Sequence, residues 1–324
     1  MHKRYLLQAA AAAMLSTHAI GWANEAYPSR PISMVVPFAP GGGVDLMARY
    51  ISKKLEARLG QPVVVENKAG AGASIGTAHV ARARADGHTL LFTSVAHAIN
   101  PGFYARLPFD TVKDFAPVAT VATAPNGIAA RADAPFNTLP EMMAYARAHP
   151  DKLSYGAISG STTMYLGMAM FVQEAGLPIR YIPYSGTPAS VQAAVAGEVD
   201  MVSSGYASSD LFAKSGRLKM LAVTSAQPTA LAPGVPTIAQ AGQLPGFEVL
   251  NWMGVLAPAQ TPMPVVQRLS REIKAILEEA ESEQFFQAQK NERFYSAPEA
   301  FQKLIASDIQ RYTRVIQETG AAQK

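Results

Sequence analysis

Short apolar runs alternate along this chain with stretches that have the periodicity of an amphipathic helix. The apolar run Ile32–Val36 is followed by Met47, Ile51, Leu55 and Leu59 at a spacing of four, which forms the apolar stripe of one helix face. Further runs of strand length occur at 62–67, 89–94, 152–157, 179–184, 199–204, 218–225 and 249–258. This alternation predicts an α/β fold in which helices cover parallel sheets.

Two extended runs, near 116–131 and at 249–258, are long enough to carry the chain from one domain to another. A domain that is interrupted and later resumed places two crossings side by side, which makes a hinge. We therefore expect two lobes with a cleft between their sheets. Lobe 1 would comprise 27–123 and 255–324, and lobe 2 would comprise 124–254.

The first 23 residues have the pattern of a secretory signal peptide. Lys3 and Arg4 precede an apolar stretch that ends near Leu15, and residues 21–23 fit a cleavage site. That stretch is too short to span a membrane. The chain has no cysteine, so it has no disulfides and no lipid attached to a cysteine after the signal. We expect an exported bacterial protein in the periplasm without a lipid anchor.

Charge and motif content argue against several classes of function. Loss of Lys3 and Arg4 with the signal leaves 26 basic groups (28 − 2) against 24 acidic ones, without a basic run, so we expect no nucleic-acid partner. Gly70, Gly72 and Gly76 form GxGxxxG, but no suitable acid follows about 20 residues later, so we expect no dinucleotide or other cofactor. No histidines have the spacing of metal ligands, so we expect no metal.

A glycine-rich turn joins the first strand to the first helix in VVPFAPGGGVDLMARY, residues 35–50. Glycines let the backbone approach an anion, and the first amides of a helix are unpaired and partially positive. The candidate binding residues are Phe38, Gly41, Gly42, Gly43 and Asp45. We expect Asp45 to orient loop amides or a water, since a carboxylate repels an adjacent anion. A turn that only packs the helix on the sheet would use the same glycines.

A second polar turn follows a strand in YGAISGSTTMY, residues 155–165. Hydroxyls and free amides converge there, as carboxylate recognition requires. The further candidates are Ser94, Ser159, Gly160, Ser161, Thr162 and Ser204. Serine and threonine also cap helices, and both roles can hold at once.

These motifs, in this order, resemble the periplasmic solute receptors of tripartite tricarboxylate transporters, the Bug-type receptors. The resemblance covers nearly the whole mature chain and includes RPISMVVPFAPGGGVDLMAR, GQPVVVENKAGAGASIGTAHVARARADGHTLLF, IPYSGTPASVQAAVAGEVD and PGVPTIAQAG. It implies a two-lobed flytrap fold that binds a small carboxylate without catalysis and delivers it to membrane permease subunits. By motif, 41–43 and Asp45 match the first-lobe loop and 160–162 match the second. Met164 stands where the family often has histidine. We expect a monomer.

The expected ligand contacts lack positive side chains. No Lys or Arg occurs in the four segments expected to face the cleft, 37–45, 94–100, 155–165 and 203–210. Amides and hydroxyls must therefore hold an anion there. The apolar residues that flank these turns are Phe38, Met164, Tyr165 and Tyr206. They favour a carboxylate with an apolar or aromatic body, unless they belong to the core.

Two other functions remain open at this point. A ligand sensor for a signalling partner would use the same lobe closure as a transport receptor. A periplasmic hydrolase with Ser159 or Ser161 as nucleophile would need a base, and His97 is the one histidine that follows a predicted strand toward the cleft.

Overall fold

The structure, a computed structural model, describes residues 27–158, 160 and 162–320. The predicted signal peptide and the candidates Ser159 and Ser161 lie outside the described residues. Within the described part of the chain, no helix is both long and apolar enough to span a bilayer.

Strands and helices alternate much as the apolar pattern predicts. The strands are β1 Ile32–Val36, β2 Val63–Asn67, β3 Thr89–Ser94, β4 Phe115–Ala124, β5 Asn126–Arg131, β6 Leu153–Ile158, β7 Ile179–Tyr184, β8 Met201–Gly205, β9 Leu218–Val223, β10 Asn251–Pro258 and β11 Glu292–Arg293. The helices are α1 Gly43–Leu59, α2 Ser74–Ala81, α3 Ala96–Phe103, α4 Leu139–Ala148, α5 Thr163–Glu174, α6 Thr187–Ala196, α7 Tyr206–Lys214, α8 Ile238–Ala241, α9 Met263–Leu277, α10 Ala280–Ala288 and α11 Pro298–Thr319. A short 3₁₀ turn, Ala71–Ala73, precedes α2.

The strands form two mixed sheets, with orders β11-β4-β10-β3-β1-β2 and β7-β6-β8-β5-β9. The prediction of parallel sheets was wrong for β10, which runs antiparallel to β3 and β4, and for β5, which runs antiparallel to β8 and β9. Each of these strands enters its sheet directly from the other lobe. It therefore starts at the carboxyl edge. β11 also runs antiparallel to β4, although it follows α10.

The chain passes between the sheets at two neighbouring places. β4 ends at Ala124 and β5 begins at Asn126, with one residue between them, and β10 begins at Asn251 opposite Ala124. The Thr224 hydroxyl accepts a hydrogen bond from the Asn126 amide at 3.1 Å and donates one to the Val249 carbonyl oxygen at 3.0 Å. One buried side chain thus ties the two crossings together.

The predicted boundaries of the two lobes remain a proposal, with one adjustment. β10 pairs along its whole length with β4, so the second crossing lies before Asn251 rather than at 254/255.

The carboxyl edges of the two sheets are adjacent. β1, β3 and β4 run in the same direction, so their last residues lie at one edge of the first sheet. In the second sheet, Asn126 at the start of β5 pairs with Gly205 at the end of β8. Ligands of open α/β sheets bind outside the carboxyl ends of strands. The loops after β1, β3, β6 and β8 therefore lie where a shared site would form.

Local signals explain most helix ends. Gly60 ends α1 with φ 70° and donates its amide to the Glu56 carbonyl oxygen at 3.0 Å. The sequence TLPE at 138–141 predicts a capping box, and Thr138 does cap α4, accepting from the Glu141 amide at 3.3 Å. The sequence SAPE at 296–299 predicts another, but this prediction is wrong, because Ala297 is the N-cap of α11 and no side chain caps it. A proline at the first helical position sets that start one residue later than predicted.

Helix α11 lies against both lobes. It packs on α3 and β4 of the first lobe and also contacts α5 of the second. The Trp252 indole in β10 donates to Asp308 Oδ2 of α11 at 2.8 Å, which joins this helix to the second crossing strand. Helical spacing in the sequence predicts that one face of α11 is apolar. The residues of this face, all buried, are Phe301, Ile305, Tyr312 and Ile316.

Candidate functional site

The glycine turn after β1 leads into a helix end that no side chain caps. Gly41 has a left-handed φ of 79°, and the N-cap Gly42 is extended, with φ −76° and ψ 165°. The first intrahelical bond runs from the Leu46 amide to the Gly42 carbonyl oxygen at 3.0 Å. Among the described residues, nothing accepts a hydrogen bond from the amides of residues 42–45. These unpaired donors, of which Gly42 and Gly43 belong to exposed residues, sit at the positive end of the α1 dipole.

Asp45 holds this turn in place from inside the protein. Its side chain is almost fully buried, and Oδ2 accepts from the Gly41 amide and from Arg49 Nε, both at 2.9 Å. Asp45 Oδ1 accepts from Asn67 Nδ2 at 2.8 Å. The same Asn67 nitrogen donates to the Phe38 carbonyl oxygen at 3.1 Å. The carboxylate thus connects both ends of the turn to the end of β2.

The charge of Asp45 is compensated where it is buried. Burial raises the pKa of its carboxyl, but the hydrogen bonds from Arg49, Gly41 and Asn67 together outweigh burial and hold the pKa below its usual value. Arg49 also donates Nη2 to Asn67 Oδ1 at 3.0 Å. Because this ion pair is neutral overall, Asp45 can stabilise the turn without placing a net negative charge behind the free amides.

The loop after β6 is the second predicted binding turn. Gly160 has a left-handed φ of 97°, and its carbonyl oxygen accepts from the Thr162 amide at 2.8 Å. Thr162 is the N-cap of α5: its hydroxyl accepts from the Tyr165 amide at 3.4 Å and donates to the Ile158 carbonyl oxygen at 3.2 Å. The capping role that the sequence left open is therefore present. A Cβ on Gly160 would lie 4.0 Å from Cζ of Phe103 at the end of α3, so this loop approaches lobe 1.

Two predicted serines lie at strand ends with their hydroxyls occupied. Ser94, at the end of β3, is buried and accepts from the Ala96 amide at 3.4 Å. Ser204, near the end of β8, is fully buried, and its hydroxyl pairs with that of Ser209 at 2.6 Å. Both are therefore turned toward protein groups, and contact with a ligand stays a prediction for them and for the other site candidates.

The apolar residues that flank the turns divide into two groups. Tyr165 and Tyr206 are buried in the core of lobe 2, and the Tyr206 hydroxyl donates to Asp210 Oδ1 at 2.9 Å. Phe38 and Met164 are half-buried. Only the latter two keep accessible apolar surface next to the predicted turns.

His97 is a core residue. It is buried, its Nε2 lies 3.1 Å from the Thr111 carbonyl oxygen, and its ring packs edge-on against Phe115 at 5.0 Å between centroids. Burial lowers its pKa to about 4. This ring is held within lobe 1 and is not presented as a base for a nucleophile.

Sequence reasoning missed two residues of the site. Asn67 completes the Asp45 network, and Phe103 is the side chain of lobe 1 that meets the Gly160 loop. The position of Asn67 at the end of an apolar run carried a signal, because the ends of β1 and β2 lie side by side in a parallel pair. Phe103 carried none, since its neighbour is 57 residues away in the sequence.

Comparison with known proteins agrees with this geometry. Residues 47–321 match the family described as tripartite tricarboxylate transporter family receptor. A "UPF0065 protein in tcbD-tcbE intergenic region" of Pseudomonas sp. strain P51 is 38% identical over 316 residues, covering 98% of this chain and 94% of the relative.

Three solved structures share the two-lobed arrangement. The periplasmic binding protein BugD is 32% identical with a TM-score of 0.72, covering 92% of this chain and 100% of its own. Rpa4515 of R. palustris, solved with adipate, is 29% identical with a TM-score of 0.74, covering 91% and 98%. MatC from Rhodopseudomonas palustris, solved with malate, is 30% identical with a TM-score of 0.69, covering 90% and 100%.

These matches confirm the family and the flytrap fold that the sequence motifs predicted. The chain belongs to the receptor family of the tripartite tricarboxylate transporters.

Proposed function

We propose that this protein captures a small carboxylate between its lobes in the periplasm and delivers it to the membrane subunits of a tripartite tricarboxylate transporter. The observation that carries the proposal is the uncapped start of α1. Its unpaired amides, in residues 42–45, stand at the carboxyl edge of the first sheet, opposite the second lobe. A helix start of this kind binds anions through backbone donors.

The strength of such a site is sufficient for a transport receptor. A hydrogen bond to a charged group contributes about 1.5–3 kcal/mol. Four of them correspond to roughly 6–12 kcal/mol. At the upper end, subtraction of an association cost of about 4 kcal/mol leaves about 8 kcal/mol, which corresponds to micromolar binding. Closure of the lobes excludes water and strengthens each bond. A site without a basic side chain can therefore hold an anion.

The ligand body is proposed to be apolar. Phe38 and Met164 keep accessible apolar surface beside the turns, and Phe103 lies between the lobes. Adipate and malate, found in the two R. palustris relatives, are both dicarboxylates that differ in the polarity of the body. We expect this protein to bind adipate or an aromatic acid more tightly than malate or citrate. Much tighter binding of citrate would contradict this preference.

Calorimetric titration with malate, adipate, citrate and benzoate tests capture, with uncharged adipamide as the control ligand. Failure of all four acids to bind, or equal binding of adipate and adipamide, would count against capture.

One substitution deletes a single proposed donor and leaves the helix intact. Gly43 is the first residue of α1, where proline is well tolerated, and the extended Gly42 before it has the backbone that a following proline requires. Gly43→Pro removes the amide hydrogen and should weaken binding of the best acid by about tenfold or more, the equivalent of one bond of about 1.5 kcal/mol. Gly43→Ala keeps the amide in an open position and is the matched control. Equal affinity of the two variants would show that this amide does not touch the ligand.

A further inference from the structure

A groove of about 660 Å³ opens on lobe 1. It runs between α2 and the segment that follows α3, and much of its wall is apolar. Ile75 lies in it with 55% of its surface exposed. The lining residues are Ala71, Ser74, Ile75, Ala78, His79, Arg82, Ala83, Tyr104, Arg106 and Pro108. An exposed apolar side chain in a groove of this size is typical of a contact surface.

The charged side chains of the groove are both positive. Arg82 and Arg106 line it, and no Asp or Glu does. Within the described part of the chain, neither Arg82 nor Arg106 lies within 4 Å of a carboxylate, whereas the nearby Arg84 reaches Asp86 at 3.8 Å. Arginines without an intramolecular partner, beside an apolar wall, are complementary to an acidic and apolar segment of another protein.

The groove is built on a loop that is held in an unusual conformation. Residues 70–73 all have positive φ, and Ala71 and Ala73 are not glycines. Left-handed backbone is unfavourable for residues that carry a Cβ. The loop is held by α3 and the residue after it: Asn100 Nδ2 donates to the Gly72 carbonyl oxygen at 2.7 Å, and Tyr104 packs so closely on Gly72 that a Cβ there would clash.

The same helix connects the groove to the cleft. α3 starts two residues after Ser94, at the carboxyl edge of the first sheet, and ends at Phe103, which faces the Gly160 loop of lobe 2. Tyr104, the next residue, lines the groove. The helix that meets the second lobe therefore also shapes the groove, so the groove lies next to the boundary between the lobes.

We propose that this groove docks an acidic, apolar periplasmic segment of the transporter's membrane subunit. The identity of the partner rests on the proposed function. The choice of this surface rests on the unpaired arginines, which are complementary to acidic groups, and on the continuity of the groove with α3.

Site-directed photocrosslinking in the bacterium that encodes the chain tests the contact directly. A benzoylphenylalanine at Ile75 should crosslink to a membrane subunit of the transporter, identified by mass spectrometry. The same probe at Met263, which is 57% exposed and outside the groove, is the control and should not. A crosslink from Ile75 to a second copy of this chain, or to nothing, would overturn the docking proposal.

Charge reversal tests the role of the two arginines. Arg82→Glu with Arg106→Glu should bind the acid identified by calorimetry within twofold of wild type but lower its uptake tenfold or more in cells that lack the native receptor. Arg180→Glu with Arg271→Glu makes the same charge change at exposed arginines outside the groove and should leave uptake within twofold. Equal uptake by the two double variants would overturn the proposal.

The outcomes separate this inference from the proposed function. Crosslinking to the membrane subunit by a protein that binds no carboxylate would refute capture and support docking. Normal capture without the crosslink would refute docking alone. A second carboxylate per chain in calorimetry, lost in the Arg82/Arg106 double variant, would make the groove a small-molecule site and overturn docking as well.

Discussion

Replacing Asp45 by asparagine tests whether this side chain holds the glycine turn in the conformation that binds the ligand. The substitution keeps the shape of the side chain but turns one of its two acceptor oxygens into a donor. Asp45 is 1% exposed, so water cannot take over the lost contacts. The Gly41 amide and Arg49 Nε both donate to Oδ2, and Asn67 Nδ2 donates to Oδ1. The single oxygen of an asparagine can replace only one of these two acceptors.

The expected loss follows from those contacts. In the better orientation the new amide faces Asn67, which leaves one buried donor without an acceptor at a cost of about 1–3 kcal/mol. The two remaining bonds lose their charge assistance, and the one from the half-exposed Arg49 counts for little because water screens it. We expect the free energy of unfolding to fall by about 3 kcal/mol in total. Ligand affinity should fall about tenfold, since the turn is populated less in its binding conformation.

Urea unfolding and calorimetry with the acid that wild type binds best measure the two effects. Asp86→Asn is the matched control, because Asp86 also accepts from an arginine and from a backbone amide but lies outside the turn. It should lose stability and keep its affinity. The reasoning is refuted if Asp45→Asn is destabilised yet binds within twofold of wild type.

Three further substitutions test the turn, the hinge and a buried histidine. Gly41→Ala should lower the free energy of unfolding by about 1 kcal/mol, because its φ of 79° is unfavourable for alanine. No atom lies within 4 Å of the new methyl group at either position, so Gly43→Ala is the control and should cause no loss. Equal urea midpoints of the two variants would contradict this. Thr224→Val should cost about 3 kcal/mol by urea unfolding, since both crossings lose a buried hydrogen-bond partner; a loss below about 1 kcal/mol would show that Thr224 does not tie them. His97 has a folded-state pKa of about 4, below its unfolded value, so its contribution is complete above about pH 6.5 and falls as pH drops toward 4. The free energy of unfolding of the wild type should fall by about 2 kcal/mol more between pH 7 and pH 5 than that of His97→Gln. Parallel pH profiles of the two proteins would refute this.

The order of strands and helices could be predicted from the sequence, because the residues that indicate each element lie within one turn or one strand. The stripe from Met47 to Leu59 predicted α1 and its buried face. The apolar runs predicted every strand except β11 to within about two residues. The glycine turn followed by a helix predicted free amides, and the structure places them at the start of α1 without a capping side chain.

The errors concern features that depend on where distant segments meet. The pattern of β10 does not tell its direction, which follows from its entry into the sheet from the hinge. In the sequence, Tyr165 and Tyr206 flank the polar turns just as Phe38 and Met164 do. In the structure, only the tyrosines are buried in the core. The 296–299 motif matched a capping box, yet a proline moved the helix start.

The sequence alone establishes the family, the alternation of strands and helices, and a glycine turn able to hold an anion with backbone groups. The folded chain adds the partner of that turn, since Asn67 reaches Asp45 across 22 residues. At the second turn it brings Phe103 next to Gly160 across 57 residues. It also assembles the groove from α2 and the residues after α3. Periodicity and turn chemistry act between near neighbours in the chain, whereas burial, strand direction and ion pairing depend on contacts that exist only after the sheets have formed.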